Sequence, residues 1–178
     1  MRGIFVLGMA FLSLAAAQET RREITNPTAT DAQPNSANVP DAYAVASQFQ
    51  RVLIFRFKYQ ADLLAGMEKM VRENQIRNAV ILSGAGSVRG YQVHQVSNRT
   101  LPSKNMLVKD PTAPADLIGM NGYIIDGRVH AHMTLANPDK AFGGHLEPGT
   151  EVFTFAIVTV GVLPDSLDLS KLDDKTWR

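Results

Sequence analysis

The chain has 178 residues, of which 45% are hydrophobic, and its 18 Lys and Arg residues nearly balance 17 Asp and Glu residues. This length and composition favour one globular domain with a sizeable core. There is no cysteine, which excludes disulfides, thiolate metal sites and cysteine nucleophiles. Any metal would have to bind through histidine and carboxylate side chains.

Residues 1–17 have the pattern of a secretory signal peptide: Arg2, the apolar run from Ile4 to Leu14, and a small-residue cleavage site at Ala15-Ala16-Ala17. We expect export to the periplasm or secretion, with Gln18 as the mature start. The apolar run is shorter than the ~20 residues that span a bilayer, so we expect no stable membrane anchor after cleavage. Loss of Arg2 leaves 17 basic residues against 17 acidic ones. Neutral charge and scattered basic residues disfavour nucleic-acid binding.

Residues 18–48 are rich in Thr, Asn, Pro, Ala and Gln and show no sustained periodicity. This composition predicts a disordered spacer. We place the folded domain at residues 49–163 and a sparse, polar C-terminal tail at residues 164–178.

The domain begins with "RVLIFRFKY" (51–59), whose alternation predicts a strand with one apolar face. Asp62 is a candidate N-cap for the following helix. That helix carries an apolar stripe at helical spacing, which we interpret as core packing: Leu63, Leu64, Met67, Met70 and Val71.

The segment "AVILSGAGSVRGYQVHQV" predicts a buried strand (79–83), a tight glycine-rich turn and a second strand (about 88–97). Residues 98–116 are rich in loop residues, with a short strand at "MLVK". Asp126-Gly127 is a preferred hairpin turn between two strand-like runs. Residues 150–162 are apolar on both faces and should form a central strand. Together these elements predict an α+β fold, with a largely antiparallel sheet of six to seven strands packed against one main helix.

Three of the four histidines lie in "VHAHMTLANPDKAFGGHL" (129–146). His130 and His132 are two apart on a predicted strand, so they share its polar face, with backbones about 7 Å apart. His145 follows two glycines, which allow close backbone approach. Three histidines with one open position are typical of a catalytic zinc site. The alternative is a set of structural histidines, because H-x-H alone is a weak motif; His94 is interpreted as structural and receives no role.

Two further residues are candidates near this trio. Glu147 lies two residues beyond His145 and could be a fourth ligand or a general acid/base, or a solvated surface residue. Arg128 could bind a substrate carboxylate, or could simply be exposed beside its turn.

Three stretches resemble the plants-and-prokaryotes-conserved (PPC) domain: "ADLLAGMEKMVRENQIRNAVILSGAGSVRGYQV", "IGMNGYIIDGRVHAHMTLANPD" and "AFGGHLEPGTEVFTFAIV". They run in family order over about residues 50–162. The resemblance implies an α+β fold that assembles as a homotrimer, and a metal site carried here by His130, His132 and His145. The fold is further similar to that of acetolactate decarboxylase, a zinc enzyme, which is an analogy of fold only. Plant members add a basic AT-hook that enters DNA, and this chain has no such motif.

The sequence leaves three hypotheses. The first is an exported homotrimer that holds a divalent metal, with zinc as first choice, and binds or transforms a small carboxylate or carbonyl ligand. If it is an enzyme, we expect a metal-dependent lyase or hydrolase. The second is a non-catalytic trimeric ligand-binding or interaction module. The third, which charge and predicted export disfavour, is a DNA-binding protein.

Overall fold

The computed structural model describes residues 20–34, 36–175 and 177. The predicted signal peptide, residues 1–17, lies outside the described residues. The described elements in chain order are β1 (Arg21–Thr25), a 3-10 turn (Thr30–Ala32), β2 (Arg51–Lys58), α1 (Leu63–Glu73), β3 (Ala79–Val96), β4 (Asn105–Asp110), β5 (Ala115–Ile125), β6 (Arg128–Ala136), β7 (Ala141–Leu146) and β8 (Glu151–Val162). The predicted α+β class is confirmed, with one helix and eight antiparallel strands in this part of the chain.

The long strand β3 organises the sheet. Its first part pairs with β5 and β8, and its last part pairs with β4 and β7. The two hairpins that join β5, β6 and β7 lead back to β3, so these four strands form a closed path. β2 lies outside β8, and β1 lies outside β4. The return of β7 to β3 brings distant parts of the sequence together at the site described below.

The helix α1 begins where the sequence predicts. The Asp62 carboxylate accepts a hydrogen bond from Ala65 N at 2.9 Å, which satisfies a backbone donor left free in the first turn. Leu63, Met67 and Val71 are buried. They pack with the inward side chains of the sheet into one core, because their spacing places them on one face of the helix.

The strand β3 differs from its prediction, because the glycine-rich stretch is not a turn. Residues 79–96 form one strand, with register shifts against β8 on either side of Gly86. Gly86 has φ +150°, and a Cβ there would meet the backbone carbonyl of Phe155 on β8. Gly86 thus lies at a bulge, which bends the strand without ending it. The sequence did not separate this bulge from a tight turn, because both favour glycine.

Within the segment expected to be a spacer, residues 21–25 form β1. All five are exposed and pair with β4 by register Arg21↔Lys109 to Thr25↔Asn105. Backbone pairing at a sheet edge requires no apolar burial, which is why composition alone does not reveal this strand.

The strand β8 is central, as predicted, but the described residues cover only one of its apolar faces. Phe153, Phe155 and Ile157 are 45%, 40% and 36% exposed. On the neighbouring β2, Val52 and Ile54 are 54% and 71% exposed. We call these five side chains the β2–β8 apolar face. Within the residues that the structure describes, no helix combines the length and apolarity that crossing a bilayer requires.

Candidate metal site

The H-x-H pair lies on β6 as the alternation predicts. Ala131, Met133 and Leu135 are buried on the core side of this strand, whereas His130 and His132 lie on the opposite face. The two Nε2 atoms are 3.3 Å apart, and the rings are stacked with centroids 5.3 Å apart. Two ligands held at about 2.0–2.1 Å from one tetrahedral zinc ion would be about 3.3 Å apart. The spacing of this pair therefore fits two ligands of one ion.

His145 reaches the pair from β7. It is the direct cross-strand partner of His132, and its ring is nearly perpendicular to those of His132 and His130, with centroids 5.2 and 4.7 Å away. One ring nitrogen from each of the three histidines lies within 4.8 Å of the others. The structure thus brings the three histidines together in one cluster.

The two glycines before His145 make this approach feasible. A Cβ at Gly143 would meet the carbonyl of Met133 on β6, and a Cβ at Gly144 would meet the carbonyl of His94 on β3. Both obstacles are backbone atoms, which cannot move aside as a flexible side chain can. Gly-Gly therefore lets β7 lie between β6 and β3 and sets His145 at their junction.

His94 was assigned no role from the sequence, yet it belongs to this cluster. It lies directly opposite His145 across the β3–β7 pair, and the two rings are stacked with centroids 4.5 Å apart. Its Nδ1 lies 2.5 Å from Oε1 of Glu147. His94, His145 and Glu147 form a second group whose ligand atoms lie within 4.8 Å of one another. No sequence signal marks His94, because its place depends on the non-local β3–β7 pairing.

Glu147 is not the solvated surface residue considered as its alternative. Its side chain is 27% exposed, and its carboxylate is engaged by His94. Arg128 lies exposed at the first position of β6, directly after the Asp126-Gly127 turn. It shares the polar face of His130 but is not among the residues that line the cavity described next.

A cavity of about 320 Å³ opens beside His130. It is lined by His130 together with Tyr123 and Ile125 of β5 and by Leu172 and Asp173 of the C-terminal tail. The Asp173 carboxylate lies 2.8 Å from His130 Nδ1. The metal-site candidate therefore borders a pocket large enough for a small organic ligand.

Two of the histidines are held in the neutral form. Burial, followed by the nearby His94, His130 and His132, lowers the pKa of His145 from 6.5 to about 4. Burial, followed by His130 and His94, also lowers the pKa of His132. Because metal ions bind the neutral imidazole, these shifts favour metal binding at neutral pH.

The fold and these side chains define an α+β domain with a histidine cluster that could hold a metal ion. The match to a family model is equally clear: the chain belongs to the Plants and Prokaryotes Conserved (PCC) domain family, whose model matches residues 44–164. This agrees with the family resemblance found from the sequence.

Several solved structures share the fold, among them the following two. A metal-containing protein from Archaeoglobus fulgidus is 23% identical, with a TM-score of 0.55 over 68% of this chain and 86% of that chain. A plant- and prokaryote-conserved (PPC) protein from Pyrococcus horikoshii is 21% identical, with a TM-score of 0.56 over 70% of this chain and 87% of that chain. Likeness at this level of identity establishes the fold alone.

Among curated proteins, the bifunctional protein GlmU of Synechococcus sp. (strain JA-3-3Ab) is 25% identical over 137 residues. The match covers 76% of this chain and 20% of that protein, so the chain spans about a fifth of the length of the curated relative it matches.

Proposed function

We propose that this chain is an exported PCC-domain protein that holds a divalent metal ion, with zinc as first choice, at His130, His132 and His145. The observation that carries the proposal is the 3.3 Å spacing of the Nε2 atoms of His130 and His132, with His145 directly across the sheet from His132. Three imidazoles leave one position of a tetrahedral ion open. The metal-containing relative from A. fulgidus supports the same class of function.

The ligand of this site is proposed to be a small carboxylate or carbonyl compound in the cavity beside His130. When bound, a divalent ion supplies Lewis-acid polarisation of a carbonyl, or an acidified water for lysis or hydrolysis. Glu147 and His94 can hold a proton between them next to His145, which is the position of a general acid/base. Arg128 shares the strand face of His130 but does not line this cavity, so its binding of a ligand carboxylate stays a prediction.

The test is the metal content per subunit of the protein, compared with that of a His130→Ala/His132→Ala variant. We expect a stoichiometric metal that is absent from the variant. A Thr134→Ala variant, on the same face of β6, is the matched control and should keep its metal. Failure of the unaltered protein to take up zinc or manganese on reconstitution would refute the proposal.

A second candidate, a non-catalytic trimeric binding module, is favoured by the β2–β8 apolar face. Five large apolar side chains in two adjacent strands form a contiguous surface of the kind that marks protein contacts. In either function we propose that copies of this chain cover it in a homotrimer. An Ile54→Glu variant should then be monomeric by light scattering, whereas a Lys69→Glu variant, on the exposed side of α1 and away from this face, should remain assembled. A monomeric unaltered protein would refute the assembly.

Export and nucleic-acid binding are tested separately. Mass spectrometry of the protein expressed with its leader should show a mature chain that starts at Gln18. A full-length chain retained in the cytoplasm would refute export. In filter binding at low salt, where electrostatic attraction is strongest, we expect no retention of DNA.

A further inference from the structure

The C-terminal tail, residues 164–178, of which the structure describes 164–175 and 177, lies almost wholly beyond the family domain, which ends at residue 164. Composition predicts a sparse polar segment, yet the tail is fixed to the body of the domain. Leu163 and Leu169 are buried with Ile125 of β5 in a small second core. The side chain of Asn78, which is 1% exposed, donates a hydrogen bond to Leu167 O at 2.9 Å. A buried amide with a backbone partner specifies one path for the chain.

The tail continues past this anchor toward the histidine cluster. Leu172 N donates to Leu169 O at 2.9 Å, which turns the chain, and the next residue is Asp173. Further along, Lys175 forms an ion pair with Asp31 at 2.7 Å, and Trp177 packs edge-to-face on Tyr43. Asp173 is therefore held on both sides by contacts that have no part in the histidine cluster.

Asp173 meets the histidine cluster at one atom. Its Oδ1 lies 2.8 Å from His130 Nδ1, while His130 Nε2 lies 3.3 Å from His132 Nε2. A carboxylate accepts hydrogen bonds, so this contact keeps the proton on Nδ1. The lone pair of Nε2 is then free and directed to the position between the histidines. A carboxylate behind a ligating histidine fixes its tautomer and orientation and increases its basicity.

We propose that Asp173 is a positioning residue for the metal site, through which the tail outside the family domain prepares His130 Nε2 for binding a divalent cation. This inference rests on the proposed function. It adds that the tail, through Asp173, increases the metal affinity above that of the family domain alone. Because the same segment supplies Leu172 and Asp173 to the cavity wall, the tail also forms one side of the ligand pocket.

The experiment compares zinc affinity in the full chain, by competition with a chromophoric chelator, for the unaltered protein, Asp173→Ala and Asp173→Asn. Loss of such a carboxylate typically costs about 10–100-fold in metal affinity. We expect about 10-fold for Asp173→Ala, the lower limit, because the two side chains are 37% and 30% exposed. Asp173→Asn should be intermediate, because its amide oxygen still accepts from Nδ1. Asp165→Asn removes a charge from the tail away from His130 and serves as control.

A second measurement requires no metal. In the metal-free protein, nitrogen-15 NMR of the histidine rings should show the proton of His130 on Nδ1, and Asp173→Ala should move it toward Nε2. An unchanged tautomer together with unchanged zinc affinity would overturn the inference while the proposed function stands. If the unaltered protein binds neither zinc nor manganese, both the inference and the proposed function are overturned. A tautomer shift without a loss of affinity would also overturn the role in metal binding.

Discussion

The neutral state of His145 gives the sharpest test of the geometry of the cluster. The pKa of this ring is lowered to about 4 by burial and by three neighbouring imidazoles, those of His94, His130 and His132, against a smaller opposing effect of Glu147. At pH 5.5 a histidine with a pKa of 6.5 is about 91% protonated, whereas one with a pKa of 4 is about 3% protonated. Acidification of the metal-free protein to pH 5.5 should therefore leave His145 neutral.

The lowered pKa of His145 also makes the free energy of unfolding depend on pH, and the direction of the shift determines the direction of this dependence. The folded-state pKa of His145 lies below the unfolded value, so between pH 6.5 and about 4 the unfolded chain binds the proton and the folded chain does not. Stability is full above pH 6.5 and falls as the pH decreases through this range. The full shift corresponds to about 3 kcal/mol, and screening of the partly exposed ring should reduce it to about 1–2 kcal/mol.

The assay is a histidine ring titration by NMR on the metal-free protein, together with denaturant unfolding at pH 7.5 and pH 5. A His145→Gln variant is the control, because it lacks the titrating group while keeping a polar side chain on β7. Between pH 7.5 and pH 5 its free energy of unfolding should change less than that of the unaltered protein, by about 1 kcal/mol, because pH 5 covers only part of the range down to the folded-state pKa. Titration of His145 near pH 6.5 would show that the ring is hydrated and apart from the other imidazoles, and would refute the reasoning.

Three further predictions follow from other contacts. Asp62→Ala removes the cap to Ala65 and a second bond, from Gly149 N to Asp62 Oδ2 at 2.6 Å. We expect a loss of about 1–2 kcal/mol by denaturant unfolding. Asp62→Asn, which keeps an acceptor for the cap, should lose less, and an equal loss would contradict the capping argument. Gly144→Ala should weaken zinc binding, because its Cβ would push β7 away from the carbonyl of His94; unchanged affinity would show that the strands can separate without cost. Zinc at about 100 times its dissociation constant should stabilise the protein by about 2.7 kcal/mol. The melting temperature should therefore rise when zinc is added and fall again when a chelator removes it. An unchanged melting temperature would contradict metal binding to the folded state.

Local signals were sufficient for much of the fold. The cap and stripe of α1 follow from spacing within one helix, and the β5–β6 hairpin follows from Asp126-Gly127, whose φ angles are +50° and +76°. The shared face of His130 and His132 follows from the period of two along a strand. In each case the residues that determine the structure are near neighbours in sequence, so the pattern is complete without tertiary information.

The features that the sequence did not reveal depend on contacts between distant segments. Gly86 suits a tight turn and a bulge equally, and only the neighbouring β8 decides between them. His94 is 51 residues from His145, and the two meet only because β7 pairs back onto β3. A histidine with no local motif cannot be separated from a structural one until that pairing is known.

The candidate site likewise contains side chains placed by local sequence and side chains placed by contacts between distant segments. His130 and His132 are set by one strand, and His145 is set by the adjoining hairpin, so their convergence is a local consequence of sequence. The residues that would tune them come from elsewhere: His94, the hydrogen-bond partner of Glu147, lies on β3, and Asp173 lies in a tail beyond the family domain. The choice of metal-ligating side chains is therefore a property of the short β6–β7 segment. The orientation of their rings and the access to the cavity depend on contacts that a relative with another tail would not share. On this argument, a PCC domain with the same three histidines can bind the same metal and still differ in affinity and in the ligand it accepts.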